Sequence, residues 1–341
     1  MRKWLPAAGA ALCMAAASPQ WPPRVAATSV RADSFPTLEA SYPGGIVARP
    51  HVEFANYVGY RPLQLDLYLH RDHASASPRP LVLWVHGGGW SRGDARQSAA
   101  FADWPGVLAS LAARGYVVAS VDYRLSGEAH FPAQVQDVKA AIRFLRSKAA
   151  DYGIDPARVY IWGGSAGGHL AALTAATCGD AAFSPAASTG RLPGSQARTA
   201  KPLSQSDCVQ GAVIWYGVFD LAKQGPDAGS ALTATRIQDL LDCKAGSCKG
   251  AERMASPIDH VDRTTPPMLL IHGTADTEVS VDQSKAMAQA MRKAGAPVEL
   301  VLVPGANHGL IGPDPGATRR DSLAALDQSF AFFDRLAGIK R

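Results

Sequence analysis

The chain is poor in charge. Only 18% of its 341 residues are Asp, Glu, Lys or Arg, and they form no Lys/Arg run. A formal net charge of +5 is too mild to recruit nucleic acid. No stretch beyond residue 17 is long and apolar enough to cross a bilayer, which takes about 20 apolar residues. C-x-x-C is absent and the nine histidines show no ligand spacing, so no metal site is expected. A dinucleotide fingerprint is missing too, because G-x-G-x-x-G needs glycine where Ser165 stands. No cofactor is therefore expected, and no internal repeat is found.

The first residues read as a targeting segment. Arg2 and Lys3 precede an apolar run from Trp4 to Ala17, and Ala15-Ala16-Ala17 offers a cleavage site. A signal peptide over 1–17 implies export to the periplasm or beyond; an uncleaved anchor is the competing reading. Losing Cys13 with the leader leaves Cys178, Cys208, Cys243 and Cys248. An even number in an exported chain suggests two disulfides. Three connectivities are open. Cys178–Cys208 with Cys243–Cys248 is favoured because each pair is close in sequence, and four free thiols are the alternative.

Residues 18–45 are rich in Pro, Ser and Ala without a period, as in a linker or irregular arm. Leu63, Leu65, Leu67 and Leu69 alternate with Gln64, Asp66 and Tyr68, which predicts a half-buried antiparallel strand near a sheet edge. Continuous apolar runs follow at 81–85, 116–121, 159–162, 212–215, 268–271 and 300–303. They read as central parallel strands covered on both faces. Helical patterns lie between them: one after Pro132 with Val135, Val138, Ile142 and Leu145 on one face, and others near 281–294 and 320–337. The alternation predicts one α/β domain over 46–341, with ligands at the carboxyl ends of the strands. The weakly periodic stretches 178–208 and 223–264 read as insertions over the site.

Strand 159–162 runs into Gly163-Gly164-Ser165-Ala166-Gly167, and an alanine-rich helix begins at once. That is a nucleophile elbow, G-x-S-x-G between strand and helix. A serine hydroxyl is a weak nucleophile and needs a base and an orienting acid. His308 in Pro304-Gly305-Ala306-Asn307-His308-Gly309 is the expected base. His169 is expected to pack under the elbow, His272 to be structural, and His86 to brace the glycine loop. Asp276, just past strand 268–271, is the expected acid. Asp282 competes but falls where a helix should start. His86-Gly87-Gly88-Gly89-Trp90 follows strand 81–85 and predicts an oxyanion hole from the N–H groups of Gly88, Gly89 and Ala166, with Gly87 as a substitute. Such donors are worth about 3–4 kcal/mol each in the transition state. Trp90, Trp215 and Tyr216 are candidates for an aromatic substrate wall; an ordinary core role competes for Trp215 and Tyr216.

From about residue 50 onward the chain resembles the α/β-hydrolase superfamily, in which Ser…Asp…His is the usual order. His86-Gly87-Gly88-Gly89-Trp90 and Asp122-Tyr123-Arg124-Leu125 resemble the hormone-sensitive-lipase-type carboxylesterases. Phe131-Pro132-Ala133-Gln134, Trp162 to Leu170, and His272-Gly273-Thr274-Ala275-Asp276 are closer to the bacterial feruloyl-esterase-like (BD-FAE) group. Gly164 departs from the lipase-type pattern, which commonly has Asp before the nucleophile. The resemblance implies a serine esterase acting on small or polysaccharide-linked esters of short or aromatic acids. An arylformamidase-like amidase, a secreted lipase, a peptidase and a non-catalytic binding module on the same fold are the rival readings. Oligomeric state is left open.

Overall fold

A computed structural model describes residues 38–74, 77–192, 194–223, 231–244 and 247–340. The chain divides into two units, 1–37 and 38–341. The expected signal peptide and most of the expected arm fall in the first, outside the described residues.

The elements run β1 (Ala40–Tyr42), β2 (Ile46–Ala55), β3 (Leu63–His70), β4 (Arg79–Val85), α1 (Trp104–Ala113), β5 (Val117–Val121), α2 (Ala133–Ser147) and α3 (Ala149–Tyr152). Then come β6 (Ile154–Gly164), α4 (Ala166–Ala176), α5 (Gly194–Ala197), β7 (Gly211–Trp215), α6 (Ala231–Leu241), α7 (Lys249–Ala255), β8 (Met268–Gly273), α8 (Asp282–Ala294), β9 (Val298–Val303) and α9 (Pro315–Ala337). Nine strands form one sheet in the order β1-β2-β3-β5-β4-β6-β7-β8-β9. The pairings β1–β2, β2–β3 and β3–β5 are antiparallel, and every pairing from β5 to β9 is parallel. This is the α/β-hydrolase architecture.

Period-2 alternation sorts the parallel strands onto two cores. Leu81, Leu83, Val85, Val159, Ile161, Ala212 and Ile214 pack with α2, α4 and α8. Val82, Trp84, Tyr160, Trp162, Val213 and Trp215 face the other way, toward α1 and α9. On that side four indoles gather: Trp84 lies 4.5 Å from Trp104 and 4.8 Å from Trp162, and Trp162 lies 4.9 Å from Trp215 (centroid distances). Aromatic pairs at these separations add to simple area burial.

Two expectations need correction. The end of the expected arm is ordered: Ala40–Tyr42 pairs with Ile46–Ala48 as an edge strand. β3 is third from that edge and almost wholly buried, because Asp66 is covered by an ion pair with Arg96 and Tyr68 by the ring of Tyr42. The weakly periodic 223–264 stretch, read as an insertion, holds two helices, α6 and α7.

Both disulfides are paired as expected from sequence proximity, with Cα–Cα distances of 4.6 Å for Cys178–Cys208 and 5.5 Å for Cys243–Cys248. The first lies beside a buried charge cluster in which Asp207 accepts from Lys139 and Arg143. Breaking one partner of such a cluster leaves an uncompensated buried charge.

Candidate active site

The elbow is imposed by steric necessity. Ser165 sits at φ 55 and ψ −122, a strained conformation held because its N–H donates to the Trp215 carbonyl at 2.9 Å. A Cβ at Gly163 would lie 2.3 Å from the Gly167 carbonyl oxygen, and one at Gly167 would lie 2.0 Å from that of Val85. The turn closes only with glycine on both flanks. Gly164, the departure from the lipase-type pattern, has a physical reason as well: a side chain there would press on the Tyr216 phenol, whose hydroxyl and ring atoms would lie 3.2–3.4 Å from an added Cβ.

Ser165, His308 and Asp276 come together. His308 Nε2 is 3.0 Å from Ser165 Oγ, and His308 Nδ1 is 2.8 Å from Asp276 Oδ2. The other oxygen, Oδ1, accepts the backbone N–H groups of Glu278 and Val279, each at 2.9 Å. Oδ2 also lies 3.2 Å from His272 Nε2. Burial alone would raise the Asp276 carboxyl; the donors from His272, His308 and Val279 outweigh it and hold the group well below the usual carboxylate range. Asp276 is thus a fixed anion under His308. Asp282, the competitor, sits in the first turn of α8 with its carboxylate exposed and bonded to Lys285.

The glycine loop borders the same space. Gly88 and Gly89 have φ of 105 and 61, and both line a cavity of about 500 Å³ shared with Ser165 and His308. Among the described residues no acceptor is found for the N–H groups of Gly88, Gly89 or Ala166. Ala166 opens α4, where the first N–H groups have no intrahelical partner and the helix dipole favours negative charge.

The loop is braced by the motif that follows β5. Asp122 accepts from the Ala95 N–H at 2.8 Å. Tyr123 donates to the His86 carbonyl at 3.1 Å and stacks on the His86 ring at 4.3 Å. Arg124 forms a fork with buried Asp137 and lies over the rings of Tyr57 and Tyr60.

Two of the expected wall residues are elsewhere. Trp90 is 1% exposed, and its indole N–H donates to His169 Nδ1 at 3.0 Å. Trp215 is fully buried in the indole cluster and donates to Ser329. Neither borders the cavity; Tyr216 does, with its ring edge-on to His308 at 4.9 Å, and so does Trp84. Strand parity explains the error: Val213 and Trp215 share the face of the indole core. Sequence reading also missed Arg92, Arg236 and Glu278, which border the cavity. Arg236 comes from α6, so the 223–264 insertion reaches the site. Among the described residues of 178–208 none lines this cavity; that segment is tied instead to β2 through Arg191–Glu53 and to the residue just after β2 through Ser188–Asn56.

His169 explains how loop and elbow are locked together. Its Nδ1 accepts from Trp90, so its Nε2 carries the proton and donates to the Ala255 carbonyl at 2.7 Å. A second proton would set two donors against each other. Burial pushes His169 and His86 down to about 4. Both are therefore neutral in the folded state, while the unfolded chain takes up protons near pH 6.5. Stability should rise with pH between about 4 and 6.5 and be lost on acidification through that window. Urea melts at pH 7 and pH 5 are expected to differ by on the order of 3 kcal/mol. Equal midpoints would contradict this assignment.

Comparisons with known proteins place the chain among esterases. "Esterase LipQ" of Mycobacterium tuberculosis is 32% identical over 268 residues, covering 78% of this chain and 58% of that protein. "Isoprenylcysteine alpha-carbonyl methylesterase ICME" of Arabidopsis thaliana is 28% identical, covering 76% and 57%. The chain thus spans somewhat over half the length of these curated relatives. Among solved structures, a "Truncated form of carbohydrate esterase from gut microbiota" superposes with a TM-score of 0.68 at 29% identity, covering 85% of this chain and 96% of that one. Esterase 2 of Thermogutta terrifontis, phosphonylated by sarin, gives 0.68 at 26%, covering 87% and 96%. The BD-FAE family profile matches residues 65–291, and the chain belongs to that family.

Proposed function

We propose that the protein is an exported serine carboxylesterase that hydrolyses short-chain or aromatic acyl esters, acetyl or feruloyl groups on carbohydrate among them. The observation that carries this reading is the unbroken hydrogen-bond relay from Ser165 through His308 to Asp276. His308 Nε2 takes the proton as Ser165 Oγ attacks the ester carbonyl. Asp276 holds the Nδ1–H tautomer and stabilises the imidazolium that forms. Gly88, Gly89 and Ala166 N–H groups receive the oxyanion. His308 then returns the proton to the leaving alcohol. Water, activated by the same histidine, cleaves the acyl-enzyme.

The names of the relatives support ester hydrolysis, and those of two structural neighbours point to carbohydrate esters: the gut-microbiota carbohydrate esterase and an "acetyl ester-xyloside bifunctional hydrolase" from Caldicellulosiruptor lactoaceticus, 25% identical with a TM-score of 0.64. Export draws support from the charged and apolar leader of the sequence and from two disulfides, which persist in oxidising compartments.

A preference for short acids rests on the cavity's polar lining. Arg92, Arg236, Glu278 and Gln97 stand where a long lipid tail would want apolar cover. Aromatic acids retain Tyr216, the aromatic ring that reaches the cavity beside His308, as a stacking partner. The test is the ratio of kcat/KM on p-nitrophenyl acetate, p-nitrophenyl palmitate and methyl ferulate. Acetate or ferulate should exceed palmitate by at least about tenfold. Palmitate as the best substrate would replace this reading with that of a secreted lipase.

A further inference from the structure

Arg236 is an unusual residue to find at this site. Its side chain is only 14% exposed, and its single ion-pair partner among the described residues, Glu278, is 4.0 Å away, beyond hydrogen-bond length. No hydrogen bond from its guanidinium is found among the described residues. A largely covered cation without bonded acceptors is costly, and such groups persist where a ligand supplies the acceptor. The guanidinium also packs directly on the oxyanion loop. A Cβ added to Gly89 would lie 2.3 Å from Arg236 Cδ, 2.8 Å from Nε and 2.9 Å from Nη1. Only glycine at 89 leaves room for this approach. Arg92, exposed and without an ion pair among the described residues, borders the same cavity. Among the described residues Glu278 is the one carboxylate on the lining, since Asp276 is covered by its histidines. Its described lining therefore presents two guanidinium groups against one acid.

We propose that Arg236, assisted by Arg92, selects ester substrates that carry a free carboxylate, on the acyl or the alcohol side of the scissile bond. This rests on the esterase reading above and names its substrate class. A guanidinium matches a carboxylate with two parallel N–H···O bonds, and Glu278, whose side chain is 46% exposed, has water to turn to when a substrate carboxylate takes the guanidinium. A uronic-acid unit bearing an acyl group and the half-ester of a dicarboxylic acid both have this chemistry.

Two matched pairs separate the sources. 4-Acetoxybenzoate against its methyl ester places the charge on the alcohol side. 4-Nitrophenyl hydrogen adipate against 4-nitrophenyl methyl adipate places it on the acyl side. The readout is the anionic-to-neutral ratio of kcat/KM. In at least one pair this ratio should fall by about tenfold in Arg236→Gln, fall further in Arg236→Glu, and be partly kept in Arg236→Lys. Arg92→Gln should lower it by less. An unchanged ratio in both pairs would overturn the proposal. So would equal losses on charged and neutral esters, which would make Arg236 a support of the oxyanion loop. If the wild-type protein turned over none of the four esters, the esterase reading would fall instead. Calorimetric binding of the unreactive mono-4-nitroanilide of adipic acid would then decide the carboxylate proposal, with about tenfold weaker binding in Arg236→Gln supporting it and equal binding overturning it.

Discussion

Ser165→Ala is expected to lower kcat on p-nitrophenyl acetate by on the order of 10⁶-fold, the scale of removing a triad nucleophile. The loss should come without unfolding. Among the described residues Ser165 Oγ makes its hydrogen bond to His308 alone, while the backbone bond from Ser165 N to the Trp215 carbonyl is untouched. Alanine keeps the same Cβ at φ 55, so the substitution adds no new strain to the elbow. A melting temperature close to wild type, beside the lost turnover, is the predicted combination. Turnover near the wild-type rate in a sequence-verified variant would remove Ser165 from the mechanism.

Asp276→Asn should cost about 10⁴-fold in kcat, because an amide facing His308 Nδ1 favours the wrong tautomer. Asp282→Asn should change kcat little. The contrast is geometric: Asp276 reaches Nδ1 at 2.8 Å, whereas Asp282 is spent on Lys285 at the start of α8. The two variants assayed side by side decide the matter. A crippled Asp282 variant beside an active Asp276 variant would relocate the acid.

These residues were legible in sequence because each is bound to a local pattern. The elbow needs glycine at fixed offsets around Ser165, and Asp276 and His308 follow directly on apolar strands. The parallel strands were legible for a related reason: burial on both faces leaves an unbroken apolar run, as in 81–85 and 268–271. β2 was not, since Arg49, Pro50 and His51 interrupt it where its pairing with β3 shifts register. α1 was missed as well. Its sequence, Trp-Pro-Gly-Val-Leu-Ala-Ser-Leu-Ala-Ala, is apolar nearly all round and lacks a polar face to mark the period.

The aromatic wall failed on direction. Trp215 and Tyr216 are neighbours in sequence, but the strand sends Trp215 into the core while the chain, turning at φ 38, brings Tyr216 to the cavity. Trp90 follows the glycine loop yet turns inward to His169. Arg236 had no local signature at all. Its place depends on α6 folding back over Gly89, a contact between residues 147 positions apart that periodicity cannot report.

The most direct test of the central claim is covalent labelling of the nucleophile. Paraoxon should inactivate the protein with one phosphoryl adduct per chain, and peptide mapping should find it on Ser165. The adduct should be absent from Ser165→Ala and form far more slowly in His308→Ala, where no base takes the serine proton. Complete inactivation with the adduct on any other residue, or full esterase activity in protein phosphorylated at Ser165, would contradict the account.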